Sequence, residues 1–357
     1  MNHVSRNTLV FLLAAIFSTL ASLPEGNAQQ QKRRDDLTRV AIGFYNLENL
    51  FDTINDPHKN DDQFTIDGSY QWTGERYWEK QERLAEVIAR MAQELTPEGP
   101  VVLGLCEVEN HHVLVDLARQ PAIKDRQYMV VHHEGPDRRS IDVALMYQPQ
   151  YFNYLSSKPY YTTVGDDGSV RTRDHLLVTG ELLGERMHFI VAHWPSRYGG
   201  QEQSAPRRMD ASKVARHIVD SILDAEPRAK IMMMGDLNDD PADPSVKEGL
   251  NTVAQKKGQS NQELFNPFEQ IHEQGRGTLS YRGNWNLFDQ ILLTRELTRN
   301  NRRKFTFMEA EVFDRDFLRE PSGRYKGTPF RSYGGGNYLG GYSDHFPVYI
   351  FLQRKGR

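Results

Sequence analysis

Hydrophobic and polar positions along this chain follow two periods in turn. From Arg39 onward, short apolar runs of strand length trade places with stretches in which apolar residues recur every three or four positions. Strands are predicted at Val40–Tyr45, Val101–Cys106, Tyr128–Val131, Ile141–Tyr147, Leu176–Leu182, Met187–Ala192, Lys230–Met234, Phe288–Leu293, Lys304–Phe307 and Phe346–Leu352. Helices are predicted over Trp78–Leu95, where Leu84, Val87, Ile88, Met91 and Leu95 share a face, and over His112–Ala118. A third runs from an N-cap at Ser204 to about Leu223. Glycines and prolines between Glu320 and Gly341 predict a long surface loop. No repeat or low-complexity break divides this pattern. It reads as one layered α/β domain with mixed sheets, spanning residues 38–355.

The first residues break the pattern. Arg6 precedes the apolar run Leu9–Leu20, and Gly26 and Ala28 stand at the -3 and -1 positions of a cleavage site. The run is shorter than the ~20 residues of a spanning helix. Residues 1–28 are therefore expected to be a cleaved signal peptide and 29–37 a polar linker, with the mature chain periplasmic or extracellular. Cys106 is the only cysteine, so no intramolecular disulfide can form and an ordinary core must supply the stability. The formal charge is -4. Proteins that hold polyanions by bulk electrostatics are usually basic, so a phosphate substrate has to be gripped locally. That argues against tight nonspecific DNA binding and leaves DNA cleavage open.

Candidate chemistry sits where apolar runs stop. Asn46 follows the first strand and Glu107 the second; His193 and Asp236-Leu237-Asn238 follow two others. Asp289 opens a late strand, and Ser343-Asp344-His345 precedes the last. Alone, each has a bland explanation as turn former, surface charge or packed histidine. Together at one sheet edge, where α/β folds bind ligands, they would gather hard oxygen donors with two histidines. Such oxygens suit Mg²⁺ or Ca²⁺, and the lack of cysteine clusters disfavours zinc. Carboxylates beside histidines also supply groups to activate water and protonate a leaving oxygen. Gly334-Gly335-Gly336 lacks the Lys-Ser/Thr of a phosphate-binding loop and reads as flexible loop.

These same residues carry a family resemblance. Phe44-Tyr45-Asn46-Leu47-Glu48-Asn49-Leu50-Phe51, Leu105-Cys106-Glu107-Val108-Glu109, Gly235-Asp236-Leu237-Asn238, Phe288-Asp289-Gln290-Ile291-Leu292 and Ser343-Asp344-His345-Phe346-Pro347-Val348 resemble, in order, motifs of the endonuclease/exonuclease/phosphatase superfamily. His193-Trp194-Pro195-Ser196-Arg197 and the run Arg139–Leu145 are similar to a secreted bacterial branch, with Ser140 where a glycine is expected.

The resemblance implies a deoxyribonuclease I-like four-layer α/β/β/α sandwich of two mixed β-sheets flanked by helices. It implies Mg²⁺ (with Mn²⁺ or Ca²⁺ as alternatives) on Glu107, Asn46 and Asp344. Asp236 would orient or deprotonate water, or bind a second metal. Asn238 would hydrogen-bond the phosphate. His345, held by Asp289, would contact the phosphate or act as general acid/base, and His193 would be the second histidine, with Asp142 as a loosely matched partner. Arg173 falls where the family places a phosphate-contacting arginine; Arg139 and Arg197 are further candidates for the substrate, with Arg207 and Arg208 on the helix after them. A monomer acting on nucleic acid, without membrane insertion, is the leading expectation. A phosphatase or phosphodiesterase acting on a phospholipid headgroup or inositol phosphate is the alternative. The long insertions Asp52–Tyr77 and Asp314–Tyr342 are polar and aromatic, which favours a soluble substrate. A binding protein that kept the fold but lost catalysis should have lost one of Glu107, Asp236, Asn238, Asp289 or His345; all are present.

Overall fold

Most of the apolar runs enter two mixed sheets. The computed structural model describes residues 37–165 and 170–356; the expected signal peptide and residues 29–36 of the linker lie outside the described residues. The strands are β1 (Leu37–Leu50), β2 (Pro100–Val108), β3 (Met129–His132), β4 (Asp142–Tyr147), β5 (Phe152–Val164), β6 (Val170–Leu182), β7 (Glu185–His193), β8 (Ile231–Asp236), β9 (Thr252–Val253) and β10 (Leu264–Phe265). After them come the hairpin β11 (Leu279–Tyr281) and β12 (Asn284–Asn286), then β13 (Asp289–Thr294), β14 (Thr306–Val312), the hairpin β15 (Tyr333–Gly334) and β16 (Asn337–Tyr338), and β17 (Val348–Lys355). A six-stranded sheet runs β14-β17-β1-β2-β4-β3 and a seven-stranded one β5-β6-β7-β8-β13-β10-β9.

The layering follows from strand alternation. In β8, Met232 and Met234 pack toward the other sheet, while Ile231 and Met233 join a second core with Ala211, Ala215 and Ile218. Those three lie on α3 (Gln201–Ala225), which follows α1 (Gly74–Arg90) and α2 (His111–Ala118) in the chain. The first core continues through the six-stranded sheet to Leu84, Val87 and Ile88 of α1. This is the helix–sheet–sheet–helix sandwich expected from the resemblance. The sheets approach closely at Gly104, where a Cβ would lie 2.5 Å from Met234 Sδ. Any larger residue there requires the Met234 side chain to move in a packed core.

Several element bounds differ from the sequence reading. Helix α1 begins at Gly74 because Thr73 Oγ1 accepts from Arg76 N, and it ends at Arg90 ahead of Ala92, whose φ of 60° is left-handed. Helix α3 begins at Gln201 with Gly200 as N-cap; Ser204 lies inside it and bonds back to Gly200 O. Strand β5 was missed altogether. It is an edge strand with most of its side chains outside the core, so it lacks the apolar run that marked the others. The Gly335-Gly336 turn belongs to the β15–β16 hairpin, and Tyr333 of that hairpin packs on Tyr70 and Trp72.

Candidate active site

Register brings the strand ends together. Parallel pairing of β7 with β8 sets His193 opposite Asp236, and antiparallel pairing of β8 with β13 sets Asp289 opposite Asp236 as well. In the other sheet β1 and β2 are parallel, with Asn46 opposite Cys106 just before Glu107. Glu107 sits at a bulge with φ of 60°, and Asn49 and Asn238 share this left-handed conformation. A glutamate held there is strained by ~1 kcal/mol or more. The bulge interrupts the pairing of Glu107 with both neighbouring strands.

The side chains then form one polar cluster. Asn46 Nδ2 donates to Asp236 Oδ2 at 3.1 Å and to Glu107 Oε1 at 3.3 Å, and Asn49 N donates to Glu107 Oε2 at 2.9 Å. His193 Nε2 lies 3.6 Å from Asp236 Oδ2 and 3.9 Å from Glu107 Oε1. His345 Nδ1 bonds Asp289 Oδ2 at 2.6 Å, and its Nε2 stands 3.9 Å from the same Asp236 Oδ2. Ser343 Oγ ties the segment before β17 to β1 by donating to Asn46 O at 2.7 Å. Ligand atoms of Glu107, His193 and Asp236, and again of Asp236, Asp289 and His345, lie within 4.8 Å of one another. Carboxylates drawn this close, with hard oxygens and one amide donor between them, are a donor set that fits a divalent cation.

Electrostatics divides the two histidines. Burial opposes a charge on His345, but Asp289 and Asp236 outweigh it and raise its pKa well above the usual range. His193 goes the other way: burial lowers its pKa well below 6.5, and Arg173, Arg139 and His345 add to the effect. Asp236 is pushed up to about 7 by burial, with Asp289 and Glu107 adding to it. Burial likewise raises Glu107, with help from Asp344. The site thus pushes its two histidines in opposite directions, the kind of separation that acid and base roles use.

Two predicted placements are corrected. Asp142 is not the partner of His193: its Oδ2 accepts from Gly135 N at 3.0 Å and lies 3.3 Å from His132, while His193 Nδ1 has no hydrogen-bond partner among the described residues. Arg197 is bound up within the protein. It donates to Asn238 O, and its Nη2 meets Asp239, Asp240 and Asp243 at 3.3, 3.2 and 2.7 Å, so its charge is neutralised and it braces the loop that carries Asn238. Nearness to His193 in sequence could not reveal carboxylates some forty positions further on. Arg207 and Arg208 part company: Arg207 is exposed, and Arg208 is fully buried on Asp239 at 2.7 Å.

Arg173 and Arg139 line a groove of about 770 Å³ with Arg138, Arg171, Arg207, Ser196 and Tyr198. Arg173 is buried, donates to Trp194 O at 2.6 Å and lies 3.5 Å from Asp137. Asn238 Nδ2 donates to the same carbonyl at 3.1 Å, and Trp194 Nε1 donates to His175 Nε2 at 3.0 Å. On the other flank, Asp344 (3.8 Å from Arg331) lines a pocket of about 370 Å³ with Glu48, Lys80, Tyr70, Trp72 and Tyr333. Sequence reasoning missed Lys80 and Glu48. Lys80 is buried on α1 between Tyr77 and Leu84, so a lysine at core spacing was the available signal. Ser140 has φ of 53°, which accounts for the glycine expected at that position.

A two-sheet sandwich whose strand ends converge on carboxylates, asparagines and histidines defines a class of phosphoester hydrolases. The sequence matches the model of the Endonuclease/Exonuclease/phosphatase family over residues 41–354, and the chain belongs to that family. Members are divalent-metal-dependent phosphoester hydrolases. Among solved structures, the chain is similar to D. rerio TDP2 complexed with single-strand DNA product, at 15% identity and a TM-score of 0.52, covering 88% of this chain and 99% of that one. It is similar to an endonuclease/exonuclease/phosphatase family protein from Bacteroides thetaiotaomicron at 15% identity and a TM-score of 0.53, covering 89% and 96%. A mannosyl-6-phosphatase from the same organism gives 15% identity, a TM-score of 0.51, and coverage of 88% and 99%. These likenesses speak for the fold. No curated protein matches the chain. Among the described residues no helix is long and apolar enough to cross a membrane.

Proposed function

We propose that the chain is a secreted, Mg²⁺-dependent phosphodiesterase that hydrolyses nucleic acid by in-line attack of water. The observation that carries this reading is the arginine groove beside the catalytic cluster. Five arginines line it, and Tyr198 stands 90% exposed at its wall. Closely spaced guanidinium groups with a free aromatic face suit a single-stranded phosphate backbone and a stacked base. In this reading residues 1–28 are removed on export, residues 29–37 form a linker, and a monomeric domain of residues 38–355 does the chemistry.

Glu107, Asn46 and Asp344 would hold the ion, which supplies charge neutralisation at the scissile phosphate. Asp236, with its pKa raised to about 7 by burial, accepts the proton of the attacking water. Cationic His345, fixed by Asp289, donates a proton to the leaving oxygen. Neutral His193 faces both carboxylates without adding charge. Asn238 supplies an amide donor for the phosphate, and Arg173 and Arg139 hold the substrate chain.

A second reading has its own support: a phosphatase acting on a polyol phosphate such as an inositol phosphate. The 370 Å³ pocket next to Asp344 offers Tyr70 and Tyr333 as stacking faces and Glu48 and Lys80 as polar partners, a lining suited to a hydroxyl-rich ring. The test is one panel of single-stranded DNA, RNA, plasmid DNA, bis-p-nitrophenyl phosphate, sphingomyelin and inositol phosphates, each with Mg²⁺ and with EDTA. Mg²⁺-dependent cleavage of the oligonucleotides is expected to be fastest. Turnover of inositol phosphates alone would replace the first reading by the second, and turnover insensitive to EDTA would overturn both.

A further inference from the structure

The loop between β3 and β4 is closed at its base by three side chains that the catalytic site does not use. His132 ends β3 and its side chain is 2% exposed, yet its Nε2 has no hydrogen-bond partner among the described residues. That nitrogen is 3.3 Å from Oδ2 of Asp142, the first residue of β4, but out of line for a hydrogen bond. The other ring nitrogen is 3.9 Å from Glu134 Oε1. One ligand atom from each of His132, Glu134 and Asp142 lies within 4.8 Å of the other two. A buried polar atom left unpaired costs roughly 1–3 kcal/mol. Two ligands bonded to one ion at ~2.1 Å and set near a right angle stand ~3 Å apart, close to the spacing of His132 and Asp142.

The surroundings point the same way. Glu134 opens onto a pocket of about 230 Å³ lined also by Asp52 and Asp56, a negative approach for a cation. Lys59, the cation beside it, spends its ammonium on the carbonyls of Gly135 and Asp137. Gly135 N donates to Asp142 Oδ2 and orients the carboxylate, as groups behind metal ligands do. A Cβ on Gly135 would lie 2.2 Å from Asp142 Oδ1, so only glycine admits the carboxylate at this distance.

We propose that His132, Glu134 and Asp142 form a second divalent-metal site, taking a borderline ion such as Zn²⁺ or Mn²⁺, that staples the two ends of the loop bearing Arg138 and Arg139. An imidazole with two carboxylates selects such ions over Ca²⁺, which takes oxygen ligands alone. The staple's consequence rests on the groove reading above. Residues 133–141 carry Arg138 and Arg139 to the groove and Asp137 to Arg173. An ion at the base of the loop holds these arginines in place before substrate arrives, which strengthens binding without touching the reacting atoms.

The experiment counts metal on the full mature protein equilibrated with Zn²⁺ alone and with Mn²⁺ alone, for wild type, Glu107→Gln, His132→Gln and Glu134→Gln. His132→Gln should carry one equivalent fewer than wild type, while Glu107→Gln keeps that equivalent. Glu134→Gln, altering a side chain 61% exposed, should weaken the site at least about tenfold. Should His132→Gln fail to fold in a thermal melt, Glu134→Gln decides alone. Equal stoichiometry and affinity in wild type and the folded variants would overturn the site. At saturating Mg²⁺, loss of the ion should raise KM for a single-stranded oligonucleotide about tenfold with kcat unchanged. An unchanged KM with the equivalent lost would leave the metal site standing and overturn its link to the groove.

Discussion

The two flanks of the catalytic cleft are built from opposite chemistry. Toward β6 and β7 the wall is cationic, with Arg138, Arg139, Arg171, Arg173 and Arg207 against one lining carboxylate among the described residues, Asp137. Toward β1 and the segment before β17 the wall is aromatic and mixed in charge, with Tyr70, Trp72 and Tyr333 around Glu48, Lys80, Arg331 and Asp344. A protein of net charge -4 thus concentrates positive potential on one side of its reacting centre. On the proposed function the difference would assign direction: a phosphate chain would lie along the arginines, and the group on the other side of the scissile bond would meet rings and carboxylates.

The first way to break this comparison is to remove the centre that both flanks share. Glu107 accepts from Asn46 and Asn49 and faces His193, so Glu107→Gln loses a charge with little change of shape. Activity on every substrate should fall about a thousandfold or more, as when other preorganised charge-stabilising groups are removed. Folding should survive, because the residue is at a strand end and relief of a buried carboxylate offsets lost hydrogen bonds. Full activity with an unchanged Mg²⁺ titration would remove Glu107 from the site.

The second sharpens the cationic flank through its support. Trp194 O receives Arg173 and Asn238, and the indole of Trp194 donates to His175. His175 is fully buried and also bonds Thr162 Oγ1 at 2.7 Å; burial lowers its pKa to about 4. A folded-state pKa below the unfolded value of ~6.5 means stability that is complete above pH 6.5 and lost as pH falls toward 4. At 1.36 kcal/mol per unit this amounts to about 3 kcal/mol. Raised carboxylates such as Asp236 and Glu109 act in the opposite sense, so the informative quantity is a difference between proteins. Denaturant unfolding of wild type and His175→Gln should show a stability gap at pH 7 that narrows by about that amount at pH 4. A gap independent of pH would mean His175 is not held neutral and does not anchor this flank.

The two flanks also differ in how far the sequence revealed them. The shared centre was legible residue by residue, because each of Asn46, Glu107, His193, Asp236, Asp289 and His345 ends or opens an apolar strand, a local signal. Register then fixed what sequence left open, namely that these ends meet at one edge. The cationic flank was half legible. Arg173 and Arg139 line one groove, but Arg197 turned inward to Asp239, Asp240 and Asp243, and Arg208 to Asp239. Both depend on where the chain after β8 returns. The aromatic flank was not legible. Tyr70 meets Tyr333 across more than 260 positions, and periodicity carries no information about such contacts between loops. The left-handed backbone of Glu107 left no trace either, since a polar residue closing an apolar run carries no sign of its φ.

The smallest expected effect separates the flanks directly. Arg139 is 55% exposed at its side chain and lies 3.7 Å from Asp137, so its guanidinium stays open to solvent and to a phosphate. An exposed arginine to phosphate contact of this kind adds about one to the salt slope of binding. Arg139→Ala should raise KM for a single-stranded oligonucleotide about tenfold, the effect of ~1.4 kcal/mol, and flatten the dependence of KM on NaCl. KM for an inositol phosphate should move less. Tyr333→Ala removes a ring of the other pocket and should do the reverse, leaving the salt slope as it was. Arg302→Ala, an exposed substitution outside both pocket linings, serves as the control and should change neither. Because five arginines grip locally, the wild-type slope itself should be shallow beside that of repressors making many phosphate contacts. Equal responses to Arg139→Ala and Arg302→Ala, or a steep wild-type slope, would show binding spread over the surface. In that case the arginine groove would have no special claim on the substrate chain, and the contrast between the flanks would describe packing alone.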